Sequence, residues 1–102
     1  MSVVVVATIT PKPGEEDAVR EAILAAGPKV HSEPGCELYA AHEADGTFVM
    51  VEKWESPEAL ATHGSADALR ELGAALKGRV AAPPDVKRLT PLPAGDAGKG
   101  AV

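Results

Sequence analysis

The sequence predicts an α+β fold of ferredoxin-like type, a split βαβ (βαββαβ) arrangement with an antiparallel sheet and the helices on one face. Three observations lead there. Residues 2–10, 36–44, 47–55 and 85–92 read as strands from β-branched content or alternation. Two stretches with apolar residues at helical spacing follow the first and third of them, which is the element order of that unit. The chain is 102 residues long, the size of one domain, and shows neither an internal repeat nor a second domain.

The first strand, SVVVVATIT, alternates only towards its end and reads as buried on both faces; Pro11, Pro13 and Gly14 stop it. In residues 15–31, Val19, Ala22, Ile23, Ala26 and Val30 recur at helical spacing. Glu15, Glu16 and Asp17 occupy the first turn, where the helix dipole favours anions. Glu16 and Arg20 are spaced as an i,i+4 pair, and Gly27-Pro28 is expected to weaken or kink the last turn. Glu33-Pro34-Gly35 makes a turn. In the next strand plain alternation puts Cys36, Leu38, Ala40 and His42 on one face and Tyr39 on the other. Asp45-Gly46 signals a hairpin. Beyond it Phe48, Met50, Glu52 and Trp54 point one way, and Val49, Val51 and Lys53 the other.

Ser56-Pro57-Glu58 supplies an N-cap, a first-turn proline and an acid for the second helical region. His63-Gly64-Ser65 interrupts it. Ser65 is the expected cap of a further segment with the apolar row Leu69, Leu72, Leu76 and Val80, which Pro83-Pro84 closes. Residues 85–92 make a short last strand at a sheet edge. The domain is expected to span residues 1–92, with 93–102 a flexible tail of small residues.

Composition narrows the function classes. Net charge is −5, with no basic run longer than Lys87-Arg88. A nucleic-acid binder needs a basic stripe to displace counterions, so none is expected as partner. No apolar run approaches a membrane span, no leader pattern precedes the first strand, and one cysteine permits no internal disulfide. The expectation is a cytoplasmic domain. No metal is expected, since the three histidines and Cys36 lack ligand spacing, and no cofactor, since neither G-x-G-x-x-G nor a P-loop occurs. No cationic neighbour activates Cys36 as a nucleophile. Only 3% of residues are aromatic, so Ala and Val carry a thin core. Val49 and Val51 face away from Phe48 and Trp54, and a second copy is the economical cover for that sheet face.

The stretch Glu33-Pro34-Gly35-Cys36, then Tyr39, FVMVEKWES at 48–56 and His63, resembles the antibiotic biosynthesis monooxygenase family. The resemblance spans residues 3–90, with its E-x-W-x8-H spacing in Glu52, Trp54 and His63, and is nearest to small quinol monooxygenases. It implies a dimeric α/β-barrel and cofactor-independent oxidation of a quinol, anthrone or similar phenolic substrate by O2. Ser65-Ala66-Asp67-Ala68 stands where relatives carry a second His or an aromatic residue. The chain contains no Asn and no Gln, so the Asn-dependent mechanism of haem-degrading relatives does not carry over.

The implied chemistry needs a base, an apolar pocket and a few donors. Glu52 on the helix-facing side of its strand is the candidate base; pairing with Arg20, Arg70 or Arg79, or a helix cap, is the structural alternative. Trp54 is a candidate pocket wall or plain core, and His63 a proton-transfer group or a helix C-terminal cap. Tyr39 is a candidate substrate contact, with the dimer interface the favoured reading; Phe48, Met50 and Leu72 complete the expected substrate pocket. His31 and His42 read as solvent-exposed. Two alternatives stay open. One is isomerase or cleavage chemistry on a small carbonyl compound, as in the autoinducer-2 branch; the other is a ligand-binding dimer without turnover. A pocket sealed by Leu and Ala points to the last, and an open one lined by the acid and the histidine points to catalysis.

Overall fold

In the computed structural model, which describes residues 2–102, the chain runs β1 (Val3–Ile9), α1 (Glu16–His31), β2 (Cys36–Ala44), β3 (Thr47–Trp54), α2 (Pro57–Gly64), α3 (Asp67–Leu76) and β4 (Asp85–Leu89). The strands form one antiparallel sheet in the order β2-β3-β1-β4. This is the ferredoxin-like order: the two strands that each precede a helix lie side by side in the middle. α1 packs on β2 and on α3, while α2 meets β3. No helix of the described residues is long and apolar enough to cross a membrane.

Cross-strand partners share a face, so the register writes rows across the sheet. Tyr39, Glu52, Val5 and Arg88 form one row, and Ala41, Met50, Ala7 and Val86 the next. Both look towards the helices. The intervening rows, Ala40-Val51-Val6-Lys87 and His42-Val49-Thr8-Asp85, lie on the outer face. The core fills the helix side: Val5, Ile9, Phe48, Met50 and Trp54 meet Val19, Ile23 and Val30 of α1 and Leu72 and Leu76 of α3. Burying such a side chain stabilises the fold by about 1.5–3 kcal/mol.

Several local expectations are corrected. β1 is not buried on both faces along its length, because Val6 and Thr8 on the outer side are half-exposed; only Val4 is buried there. A register shift between Cys36 and Leu38 places Cys36 opposite Trp54 and Tyr39 opposite Glu52. An extra residue in one strand restarts the alternation. Tyr39 therefore points into the core, 7% exposed, rather than to the outer face. α1 runs through Gly27-Pro28 to His31. Arg20 does not pair with Glu16; it binds Asp17 and Glu43 at 2.7 Å each, and Glu16 accepts from the Gly14 N–H. Ser65 caps the end of α2, where its hydroxyl donates to the Thr62 carbonyl, and the N-cap of α3 is Ala66. α3 stops at Leu76, well before the prolines. Gly78 adopts φ +79°, and Val80 bridges to Pro11. A glycine in the left-handed region just past the last turn is a strong helix stop. The expected β4 ends at Leu89 and lies at the sheet edge; residues 93–102 carry no helix or strand, with a turn around Asp96.

Candidate functional site

The alternation of β3 buries a carboxyl group. Thr47–Trp54 sends Phe48, Met50, Glu52 and Trp54 inwards, and Glu52 is only 5% exposed. None of the three arginines weighed as its partner reaches it. Arg20 is held by Glu43 and Asp17, Arg70 by Asp67, and Arg79 by Glu15. Its one side-chain hydrogen bond among the described residues comes from Trp54, whose Nε1–H donates to Oε1 at 3.0 Å. Burial pushes the Glu52 carboxyl above the ordinary glutamate range; the Trp54 hydrogen bond and the nearby His63 only partly oppose this.

The second group is delivered by α2. Ser56 caps this helix by accepting from the Ala59 N–H, Pro57 starts it, and His63 comes inwards in its last turn, 5% exposed. The His63 ring stacks on Trp54 with centroids 4.4 Å apart and meets the Tyr39 ring edge-on at 5.9 Å. Its Nδ1 lies 2.7 Å from Glu33 Oε1, and its Nε2 lies 4.0 Å from Glu52 Oε1. A carboxylate accepts, so the Nδ1–H of His63 donates to Glu33, and Nε2 faces Glu52. Glu33, His63 and Glu52 thus stand in a row, two carboxyl groups with one imidazole between them, and the 4.0 Å step from His63 to Glu52 is longer than a hydrogen bond. Glu33 Oε2 is buried without a partner among the described residues.

Glu33 comes from the α1–β2 turn. The turn is pressed against α2: a Cβ on Gly35, whose φ is +81°, would lie 2.6 Å from Ala59 Cβ. The Glu55 N–H donates to the Gly35 carbonyl at 2.9 Å, tying the turn to the end of β3. Glycine is thus required for the approach that brings Glu33 to His63.

Glu52 and His63 open onto a cavity of about 580 Å³ between the sheet and α2–α3. Val5, Ala7 and Met50 form its floor, Leu69, Leu72 and Leu76 its roof, and Tyr39 stands at the end that holds the acid. Tyr39 is pushed up to about 12 by burial and by the charge of Glu52, so its hydroxyl stays a proton donor. Pro84, Val86 and Arg88 border the mouth. The walls are apolar, and the polar groups converge at one end, as in small-molecule sites generally. No group of three His, Cys, Asp or Glu side chains suited to a metal occurs among the described residues.

Of the seven expected site residues, Glu52, His63, Tyr39, Met50 and Leu72 border this cavity. Trp54 and Phe48 do not. Trp54 is 0% exposed behind the acid, one ring face taken by His63 and its N–H by Glu52, so no ring face is offered as a pocket wall. Phe48 lies at the far end of β3, under Arg20 of α1. His42 is exposed; His31, also exposed, places Nε2 2.9 Å from the Tyr39 carbonyl oxygen. Cys36 is partly buried, and burial raises its thiol, with Glu33 adding to the effect. Sequence reasoning assigned no role to Glu33 or Arg88. The turn containing Glu33 was visible, but nothing linear ties it to a histidine thirty residues on.

With this geometry in view, the comparisons with known proteins are informative. A family model described as antibiotic biosynthesis monooxygenase matches residues 2–75. A Caulobacter crescentus protein provisionally named an antibiotic biosynthesis monooxygenase is 29% identical; the match covers 86% of this chain and 87% of that one, with a TM-score of 0.79. Rv0793 of Mycobacterium tuberculosis is 26% identical over 94% of this chain and all (100%) of its own, with a TM-score of 0.85. PA3566 of Pseudomonas aeruginosa shares the fold with a TM-score of 0.82 at 23% identity, over 89% and 94% of the two chains. No curated protein matches the chain significantly.

Proposed function

This chain belongs to the antibiotic biosynthesis monooxygenase family, and we propose from that premise that it is a cofactor-independent monooxygenase oxidising a quinol, anthrone or similar phenolic substrate with O2. The observation that carries this reading is the open apolar cavity ending on an arginine-free, buried carboxyl group with His63 Nε2 at 4.0 Å.

The chemistry follows from the residues. The apolar cavity has room for a flat aromatic molecule, which displaces water from the acid as it enters. Glu52, with its basicity raised by burial, takes the acidic proton of the phenol or enol. His63 accepts that proton in turn at Nε2, and Glu33 stabilises the imidazolium through Nδ1. Trp54 orients the Glu52 carboxyl group and is a positioning residue. The Tyr39 hydroxyl donates to the oxyanion that develops. The substrate anion passes one electron to O2; the two radicals combine to a peroxide anion, which takes back the proton held on His63 to become the hydroperoxide, and an anthrone hydroperoxide loses water to leave the carbonyl. Met50 and Leu72 hold the ring. Phe48 has no place in this scheme.

The second-copy expectation belongs with this reading. The outer sheet face presents half-exposed Val6, Val49 and Val51, and a homodimer through that face covers them. The open cavity favours turnover over passive binding, and the one cation at its mouth suits a phosphorylated carbonyl compound less well than an apolar ring. The test is oxygen uptake under air with a panel of hydroquinones and anthrones. Uptake above the uncatalysed rate that is lost in Glu52→Gln is expected. No uptake on any member of the panel removes the enzymatic reading.

A further inference from the structure

Resting on that reading of the cavity, we propose that the molecule it takes is a flat phenol bearing a carboxylate, anchored by Arg88 at the mouth.

The register carries the argument. Val5 pairs with Glu52 on one side and with Arg88 on the other, so the three share one row and one face across β3, β1 and β4. Two strand spacings put the backbones of Glu52 and Arg88 about 10 Å apart. Between them the floor is Val5, with Ala7 beside it. The cavity therefore has an acid at one end, a cation at the other and apolar surface between. That is the polarity of a fused-ring phenol whose carboxylate lies at the opposite end from its hydroxyl.

Charge and position together distinguish Arg88: Lys12, Lys53, Lys77 and Lys99 also lack a carboxylate partner among the described residues, but none of them borders the cavity. Arg20, Lys29, Arg70, Arg79 and Lys87 are each held by a carboxylate. Arg88 borders the cavity and has no such partner among the described residues. The chain carries a net charge of −5, so a local cation is what makes the mouth hospitable to an anion. The guanidinium fork matches a carboxylate in two parallel hydrogen bonds. The same anion at the inner end would meet the Glu52 carboxyl group, so orientation follows: hydroxyl to Glu52, carboxylate to Arg88.

The test is calorimetric titration at neutral pH with 6-hydroxy-2-naphthoate and with its methyl ester. The acid should bind the wild type about fivefold more tightly than the ester, the gain a solvent-exposed ion pair supports. Arg88→Gln should remove that preference by weakening the acid alone, and Arg88→Lys should restore part of it. Arg88 lies exposed on an edge strand, so thermal melting should show both variants folded. Equal binding of acid and ester to the wild type, or equal weakening of both by Arg88→Gln, overturns the anchor; if oxygen uptake on neutral hydroquinones persists, the enzymatic reading survives that failure. Binding of neither ligand at millimolar concentration overturns the anchor and the cavity's assignment together.

Discussion

Glu52 couples activity and stability in opposite directions. Its carboxyl group is buried beside an indole and an imidazole, with no cation in contact, and so titrates above the ordinary glutamate range. A group whose pKa is raised on folding contributes stability that is full below its unfolded value and is lost as pH rises through the folded value. Neutral pH lies above the ordinary glutamate range of the unfolded chain, so burial of Glu52 weakens the fold there. Glu52→Gln, which keeps an acceptor for the Trp54 N–H, should be more stable than the wild type there, by on the order of 1 kcal/mol. The gain should shrink on acidification, which paired thermal melts across pH will show. The same variant should lose about a hundredfold or more in kcat/KM, the contribution of a positioned base. In the wild type kcat/KM should rise with pH through the Glu52 ionisation, and a profile flat across that range would remove the acid from the role of base. Glu33→Gln keeps an acceptor for His63 Nδ1 but removes the charge that holds the imidazolium. Steady-state kinetics should show kcat lower by about tenfold, one pK unit of lost interaction, with KM little changed. A change in KM alone would make Glu33 a structural partner only.

At the scale of elements, the turn between α1 and β2 decides whether the site assembles. Gly35→Ala forces a Cβ to within 2.6 Å of Ala59 Cβ on α2, at a φ of +81° that L residues rarely adopt. Overpacking of this kind costs about 1–3 kcal/mol, and each kcal/mol lowers the Tm of a domain this size by about 4–8 °C. A melting temperature unchanged by Gly35→Ala would show that the turn is not held against α2. This turn also marks the limit of what linear patterns reveal. The alternation of Phe48, Met50, Glu52 and Trp54 was legible because a strand half-buried against helices imposes period two on its own residues. The start of α2 was legible because Ser56 and Pro57 satisfy local backbone needs. Tyr39 was misplaced because a bulge after Cys36 changes phase without a residue type that announces it. α3 was read too long because Val80 continues the spacing of Leu72 and Leu76, while Gly78 ends the helix through its own backbone. The pairing of Arg20 with Glu43 and of His63 with Glu33 depends on which elements meet in space, and neither glutamate is close to its partner in sequence.

The whole molecule places its chemistry on one side of the sheet and its unpartnered apolar surface on the other. The helix face is closed by α1 and hollowed under α2 and α3, whereas the outer face is left to the rows Ala40-Val51-Val6-Lys87 and His42-Val49-Thr8-Asp85. Val6, Val49 and Val51 with Thr8 make the centre of these rows, and His42, Lys87 and Asp85 stand at three of their four ends, close to the distribution of an interface core with a rim. β4 adds an exposed edge bearing Leu89, 40% exposed, of the kind that pairs readily with another chain if left open. A homodimer built on this face predicts that light scattering gives twice the chain mass and that Tm rises with protein concentration, because association stabilises only the folded state. Val51→Glu puts a charge at the centre of the rows, on the side away from the cavity. It should yield monomers with a lower, concentration-independent Tm, since an unpaired charge cannot be buried between two sheets. A wild type that scatters as a monomer at every concentration would leave the valines as ordinary surface, and the domain would then have to hold its hollowed helix layer with the thin core of a single chain.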